Sequence, residues 1–167
     1  MPISPYLKVL RARVGTDLVL MPGVAAVIRD GEGRVLLGRR SDDGSWGLPA
    51  GSVDPGEPPA RTVVREVWEE TGLHVVPERI LGVFGGEDFR FTYPNGDQLE
   101  SVVVLFECRV VGGDLHPRDG EMVGLRYFPA DELPPLRVRW PPSLLAGAGG
   151  PREAAFEWDG EWLGELG

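Results

Sequence analysis

The stretch GSVDPGEPPARTVVREVWEETGL, Gly51 to Leu73, carries Glu66, Glu69 and Glu70 close together. Carboxylates at this spacing can offer oxygens to one hard divalent cation, which takes oxygen ligands at ~2.0–2.1 Å and keeps water in its other positions. On an α-helix, side chains three and four apart have Cβ atoms ~5–6 Å from each other, so all three glutamates address one region of space. Without a cation the grouping is unfavourable. Each like-charge pair destabilises a helix by roughly 0.2–0.5 kcal/mol, and the macrodipole disfavours anions in the last turn by ~0.3–1 kcal/mol. The ordinary alternative is a solvated acidic face. Bound Mg²⁺ would remove the repulsion, and bound cations can bridge a pyrophosphate, neutralise its charge and polarise an attacking water.

The elements that must position these groups are legible around them. Ala60, Val63, Val64 and Val67 recur at i, i+3, i+4 and i+7, which predicts an amphipathic helix with one buried stripe and the glutamates on the opposite face. Pro58 and Pro59 preset φ at the helix start in place of a hydroxyl cap, and Gly72 followed by Leu73 suits a left-handed C-terminal stop. Gly51 opens a loop where the missing Cβ permits a close backbone approach or a positive φ. GVAAVI and RVLLGRR flank Asp30-Gly31 as a predicted pair of hairpin strands, and RILGVF, FRFTY, LESVVVLFECRVV and MVGLRYF read as further strands, with Pro94 to Asp97 as a hairpin tip. One long helix among many strands implies an α+β layer fold.

The order Gly51, five residues, Glu57, seven residues, Arg65-Glu66-Val67, one residue, Glu69-Glu70, one residue, Gly72-Leu73 resembles a complete Nudix box without insertion. The resemblance implies the Nudix fold, an α/β/α sandwich around a mixed β-sheet in a single domain. It implies a metal-dependent hydrolase acting on a pyrophosphate bond in a nucleoside diphosphate linked to another moiety. By the same resemblance Glu66, Glu69 and Glu70 are metal ligands, the Ala50 carbonyl is a further donor, and Mg²⁺ is the ion, with Mn²⁺ as a substitute. Arg65 and Glu57 resemble the family's structural ion pair, with the guanidinium holding the loop glutamate against the helix.

Outside the box, Glu121 in RDGEMVGLRYF stands where many Nudix enzymes carry a loop carboxylate for metal binding or water activation, and Glu66 is the rival base. Glu100 and Glu87 are weaker alternatives. Arg39 and Arg40 end a strand near the expected cleft, and alternation lets only one point inward to a substrate phosphate. Trp46, Phe89, Phe91 and Tyr93 are candidates to stack a base, although aromatic strand residues more often fill cores. His74 and His116 are isolated. Substrate signatures are missing: Phe89 replaces the proline of ADP-ribose pyrophosphatases, and Arg90 and Phe91 replace the tyrosine of dinucleoside polyphosphate hydrolases. LLGRRSDDGSWGLPAG only partly echoes the coenzyme A subgroup. A nucleoside triphosphate or an ADP-ribose-like compound is the favoured substrate. The alternatives are a Nudix-fold module that senses a nucleotide without turnover, and a prenyl diphosphate isomerase, which needs a loop cysteine.

Composition bounds the rest. The 167 residues, 42% hydrophobic and 26% charged, suffice for one globular domain. The expected layout is an N-terminal arm over 1–22 with a short helix and an edge strand, a Nudix domain over 23–133, and a Pro/Gly-rich segment over 134–167 with one short helix near Ser143 to Ala146. Cys108 is the only cysteine, which excludes an internal disulfide and fits a reducing compartment. No apolar run suits a membrane span or a secretory leader, so the expected setting is cytoplasmic and soluble. The formal net charge of −9 argues against a nucleic-acid partner and for a small nucleotide; a homodimer is compatible with the resemblance.

Overall fold

A computed structural model describes residues 4–93, 95–146 and 153–157. Helix α1 (Pro5–Val14) leads into β1 (Val19–Ile28), β2 (Val35–Arg40), β3 (Trp46–Gly47) and β4 (Ala50–Ser52). Helix α2 (Pro59–Thr71) follows, then β5 (Leu73–Phe84), β6 (Arg90–Thr92), β7 (Gln98–Gly113), β8 (Met122–Phe128), α3 (Pro142–Leu145) and β9 (Ala155–Phe156). The larger sheet runs β4-β1-β7-β5-β9, with β6 also on β7, and the smaller runs β3-β2-β8. Strand β1 is parallel to β7, whereas β4 on β1 and β5 on β7 are antiparallel, so the larger sheet is mixed. The α+β single-domain expectation agrees with this architecture.

Helix α2 begins as its sequence requires. Pro58 stands at the N-cap in an extended conformation without a side-chain cap bond, Pro59 is the first helical residue, and Gly72 closes the helix at φ 76°. A Cβ on Gly72 would also approach the Asp114 carbonyl oxygen to 2.4 Å. The buried stripe differs from the predicted one. Val63 and Val67 pack with Val24, Ala26, Ile28 and Phe106, but Ala60 is exposed and Glu70 is only 1% exposed. The acidic residues therefore do not form one solvated face; the last turn of α2 carries a carboxylate into the protein.

One further expectation is corrected. The strands flanking Asp30-Gly31 do not form a hairpin ladder, being joined by the single bridge Arg29 to Val35. Strand β1 already bonds to β4 on one side and β7 on the other, so β2 turns away into the second sheet. The strand expected before residue 23 is the first part of β1, where residues 19–22 pair with β7 and the β4 ladder begins only at Gly23. The short helix expected near Ser143 to Ala146 is α3, and the described part of the segment after residue 134 packs on the core. Trp140 lies edge-on to Phe84 and Phe89 at 5.5 and 5.4 Å, and Leu144 and Leu145 of α3 are buried in the same cluster. Arg29 fastens this region by donating from Nη2 to the Leu144 carbonyl at 2.8 Å while pairing with Glu107. Residues 147–152 and 158–167 of the Pro/Gly-rich segment, residues 1–3 of the arm, and Pro94 of the hairpin tip lie outside the described residues.

Candidate active site

A cleft of about 950 Å³ opens beside α2. Its lining includes the acidic Glu66, Glu69, Asp119 and Glu121 and the apolar or aromatic Leu7, Phe91, Tyr93, Leu99 and Trp140. Strand β4 sets the acidic part of it. The Ala50 N–H donates to Glu70 Oε2 at 2.8 Å, while Glu70 Oε1 is buried without a hydrogen-bond partner among the described residues. Burial pushes the Glu70 carboxyl well above its ordinary range; the charges of Glu66 and Glu121 add to this, and the Ala50 N–H and Arg40 oppose it. Glu66 is pushed up to about 7, chiefly by burial, with Glu69 and Glu121 adding and Arg65 opposing. Gly51 is required here for close approach. A Cβ at this position would lie 1.9 Å from Glu66 Cδ, and the residue does not use a positive φ.

Arg65 organises the same wall. Its guanidinium pairs with Glu57 at 2.9 Å, Glu66 at 2.8 Å and Glu69 at 3.2 Å, and donates to the Ser52 carbonyl at 3.3 Å. Glu57 also accepts from Thr62 Oγ1 at 2.9 Å. The hydrogen bond from Arg65 holds the Glu57 carboxyl below its usual range, and the Glu57 bond in turn raises the Arg65 pKa. The planar fork thus links the loop, β4 and α2 in one network. Arg65→Ala is expected to destabilise the fold by about 1–3 kcal/mol, because the largely buried Glu57 carboxylate then keeps only its Thr62 bond and a 4.0 Å ion pair with the exposed Arg61. Arg65→Lys should recover little of this. Thermal unfolding checks it, and an unchanged Tm for Arg65→Ala would show that the network does not support the fold.

The other expected contacts separate into two groups. Arg40 lines the cleft, bonded through Nε to Asp42 Oδ1 at 3.0 Å, whereas Arg39 turns to the Gly44 carbonyl outside it. A register shift between Arg39 and Arg40 against β8 accompanies this division. Phe91 and Tyr93 line the cleft beneath the Arg137 guanidinium, 4.7 and 5.9 Å from the ring centroids. Two candidates to stack a base are corrected. Phe89 borders the cleft but is only 2% exposed, packed against Phe84 and Trp140, and Trp46 lies edge-on to Phe128 at 5.0 Å away from the cleft lining. Hydrophobic packing claims both rings.

Glu121 reaches the cleft from the segment between β7 and β8. Its N–H donates to Asp119 Oδ1 at 2.8 Å and its carbonyl accepts from Ser41 N at 2.8 Å, which fixes the backbone. Burial and the nearby Asp119 charge raise the Glu121 carboxyl pKa, opposed by Arg40. Glu87 is exposed and Glu100 pairs with Arg90 at 2.7 Å, so both are occupied by the surface of β6. Cys108 is buried in β7 outside the cleft, its thiol pushed up to about 12 by burial, which removes the observation an isomerase reading needs.

The family model described as the NUDIX domain matches residues 19–146. The chain belongs to the Nudix family. A MutT-like protein of Streptomyces ambofaciens is 34% identical over 110 residues, covering 66% of this chain and 64% of that protein. The match therefore spans just under two thirds of that relative. A putative 8-oxo-dGTP diphosphatase of Bacillus subtilis is 30% identical over 116 residues, covering 70% and 71% of the two chains. The crystal structure of an ADP-ribose pyrophosphatase from Streptococcus suis superposes with a TM-score of 0.56 at 31% identity, covering 71% of this chain and 80% of that one.

The Nudix match includes α3 and Trp140, which lie beyond the 23–133 expected for the domain. It also contains cleft residues that the sequence did not reveal. Arg137 hides in LPPLRVRW, where proline and the absence of a period mask any element, and Arg118 is three residues before Glu121. Among the described residues no three acidic, histidine or cysteine side chains converge into a finished metal cage. The side-chain donors still fit a hard, partly hydrated cation: all are carboxylates, and Glu70 Oε1 is a buried acceptor with no hydrogen-bond partner among the described residues. Among the described residues no helix is long and apolar enough to cross a membrane.

Proposed function

We propose that this Nudix protein hydrolyses a pyrophosphate linkage in a nucleoside diphosphate joined to another group. The observation that carries this reading is the buried Oε1 of Glu70, unpartnered among the described residues, beside the cleft that holds Glu66, Glu69 and Glu121. Glu66, Glu69 and Glu70 would hold a divalent cation, with the Ala50 carbonyl as a further donor and Mg²⁺ preferred over Mn²⁺. Such a cation supplies charge neutralisation at phosphate oxygens and a more acidic water. The chain's own groups do the rest. Arg65 orients Glu66 and Glu69, the Ala50 N–H orients Glu70, and Glu121 accepts the proton of the attacking water. Glu121 is preferred to Glu66 as base because Glu66 is already bound by Arg65, while among the described residues the Glu121 carboxylate has no ion pair or hydrogen bond.

The relatives' names, for 8-oxo-dGTP and ADP-ribose, support a small nucleotide as substrate. The aromatic part of the lining, Tyr93 and Phe91 under Arg137, would receive its base, and Arg40 would neighbour the phosphates. A net charge of −9 suits a small molecule in a cytoplasmic setting better than a polyanion bound over a broad surface. The test is a phosphate-release screen with Mg²⁺ across nucleoside triphosphates, ADP-ribose, nucleotide sugars, dinucleoside polyphosphates and coenzyme A. Cation-dependent release from at least one compound is expected. Nucleotide binding with no turnover of any would replace this reading by a sensing module.

A further inference from the structure

The cleft lining is acidic where the phosphates would lie, so its arginines matter. Arg11, Arg40, Arg65, Arg118 and Arg137 line it. Arg11 donates to the Asp17 and Gln98 carbonyls and approaches Asp97. Arg40 is held by Asp42, Arg65 by Glu57, Glu66 and Glu69, and Arg137 by Asp42 and Asp43. Among the described residues Arg118 has no ion pair. Its guanidinium carbon lies 5.0 Å from the centroid of the Trp68 ring.

The position of Arg118 is fixed on both sides. Its backbone N–H donates to the Glu69 carbonyl at 2.9 Å, and the His116 N–H donates to the Thr71 carbonyl at 2.8 Å. The segment between β7 and β8 is thereby docked on the C-terminal end of α2, beside the carboxylates. A guanidinium placed over an indole ring is attracted through its charge and keeps N–H donors for an anion. An anion arriving here meets acidic side chains and the negative end of the α2 dipole, so a paired arginine cannot serve it without releasing a carboxylate. Arg118 can.

We propose that Arg118, held over the Trp68 ring, is a specificity-determining residue that grips a free terminal phosphate on the substrate. This rests on the pyrophosphohydrolase reading and deepens it. A substrate that ends in a phosphate, as a nucleoside triphosphate does, gains a charge-assisted contact. One whose second phosphate is capped by a sugar, as in ADP-ribose, presents no such dianionic end.

Calorimetry with two non-hydrolysable α,β-methylene analogues in Mg²⁺ tests the proposal: a nucleoside triphosphate, and an ADP-ribose. Arg118→Ala is expected to weaken the triphosphate analogue about tenfold or more, leave the ADP-ribose analogue within about twofold, and leave Tm unchanged; Arg118→Lys should recover part of the loss. Trp68→Ala should weaken the triphosphate analogue in the same direction. Equal weakening of both analogues, or no weakening of either, would overturn the proposal while leaving the hydrolase reading in place. If the wild-type protein bound neither analogue, both would fall together.

Discussion

Glu70→Gln is expected to lower kcat by at least about a hundredfold and, in chelator, to melt at a higher temperature than the wild-type protein. Both effects follow from one carboxylate. Glu70 is 1% exposed, one oxygen accepts from the Ala50 N–H, and the other has no hydrogen-bond partner among the described residues. Glutamine retains an acceptor for that N–H and removes the buried charge, whose desolvation disfavours the cation-free fold. It also removes an anionic donor from the expected cation site, where charge stabilisation of several kcal/mol, at 1.36 kcal/mol per tenfold in rate, amounts to two decades or more. Steady-state kinetics and thermal melts check the two halves separately. Turnover near wild type would remove Glu70 from the chemistry, and a lower Tm in chelator would show that its charge is already compensated.

Glu121→Gln is expected to reduce kcat by ~10²–10⁴ while leaving the Mg²⁺ concentration for half-maximal rate unchanged. A carboxylate bound directly to a cation shares its lone pairs and is a weak base, whereas one beside it keeps its basicity. Glu121 is anchored through its backbone by Asp119 and Ser41, so replacing its carboxylate leaves those bonds in place. Glu66→Gln is the comparison, since it should also raise the Mg²⁺ requirement. Recovery of Glu121→Gln at high Mg²⁺ would make Glu121 an outer ligand, and a loss of only a few-fold would return it to an ordinary loop residue.

Local signals in the sequence were reliable because local physics sets them. Pro58, Pro59 and Gly72 mark the ends of α2 by backbone restriction alone, and the spacing of Glu66, Glu69 and Glu70 survives any packing. Gly51 was legible as a close approach, although the group it meets, the Glu66 carboxyl, is visible only in three dimensions. Pairing across the chain was not legible. Asp30-Gly31 has hairpin chemistry, but β1 is already bonded on both sides, and that fact depends on β7, far along the chain. Phe89 and Trp46 look like base-stacking rings until Trp140 and Phe128 claim them, and Trp140 sits in a segment whose prolines hide any period. Burial of Glu70 was likewise unreadable, since a heptad-like pattern assigns a glutamate outward by default.

Melting temperature as a function of pH, in chelator and in Mg²⁺, bears most directly on whether the acidic wall is a cation site. In the unfolded chain glutamate titrates near 4.3. Folded Glu66 is pushed up to about 7 and Glu70 well above the ordinary range. A raised folded pKa contributes stability that is fully present below the unfolded pKa and is lost as pH rises through the folded one. In chelator, therefore, Tm should fall between about pH 4.5 and 7.5. At pH 7.5, Mg²⁺ at about 100 times its Kd should restore roughly 2.7 kcal/mol, or about 5–10 °C, and Glu70→Gln should lose most of that rise. A wild-type Tm that Mg²⁺ leaves unmoved at pH 7.5 would contradict the assignment.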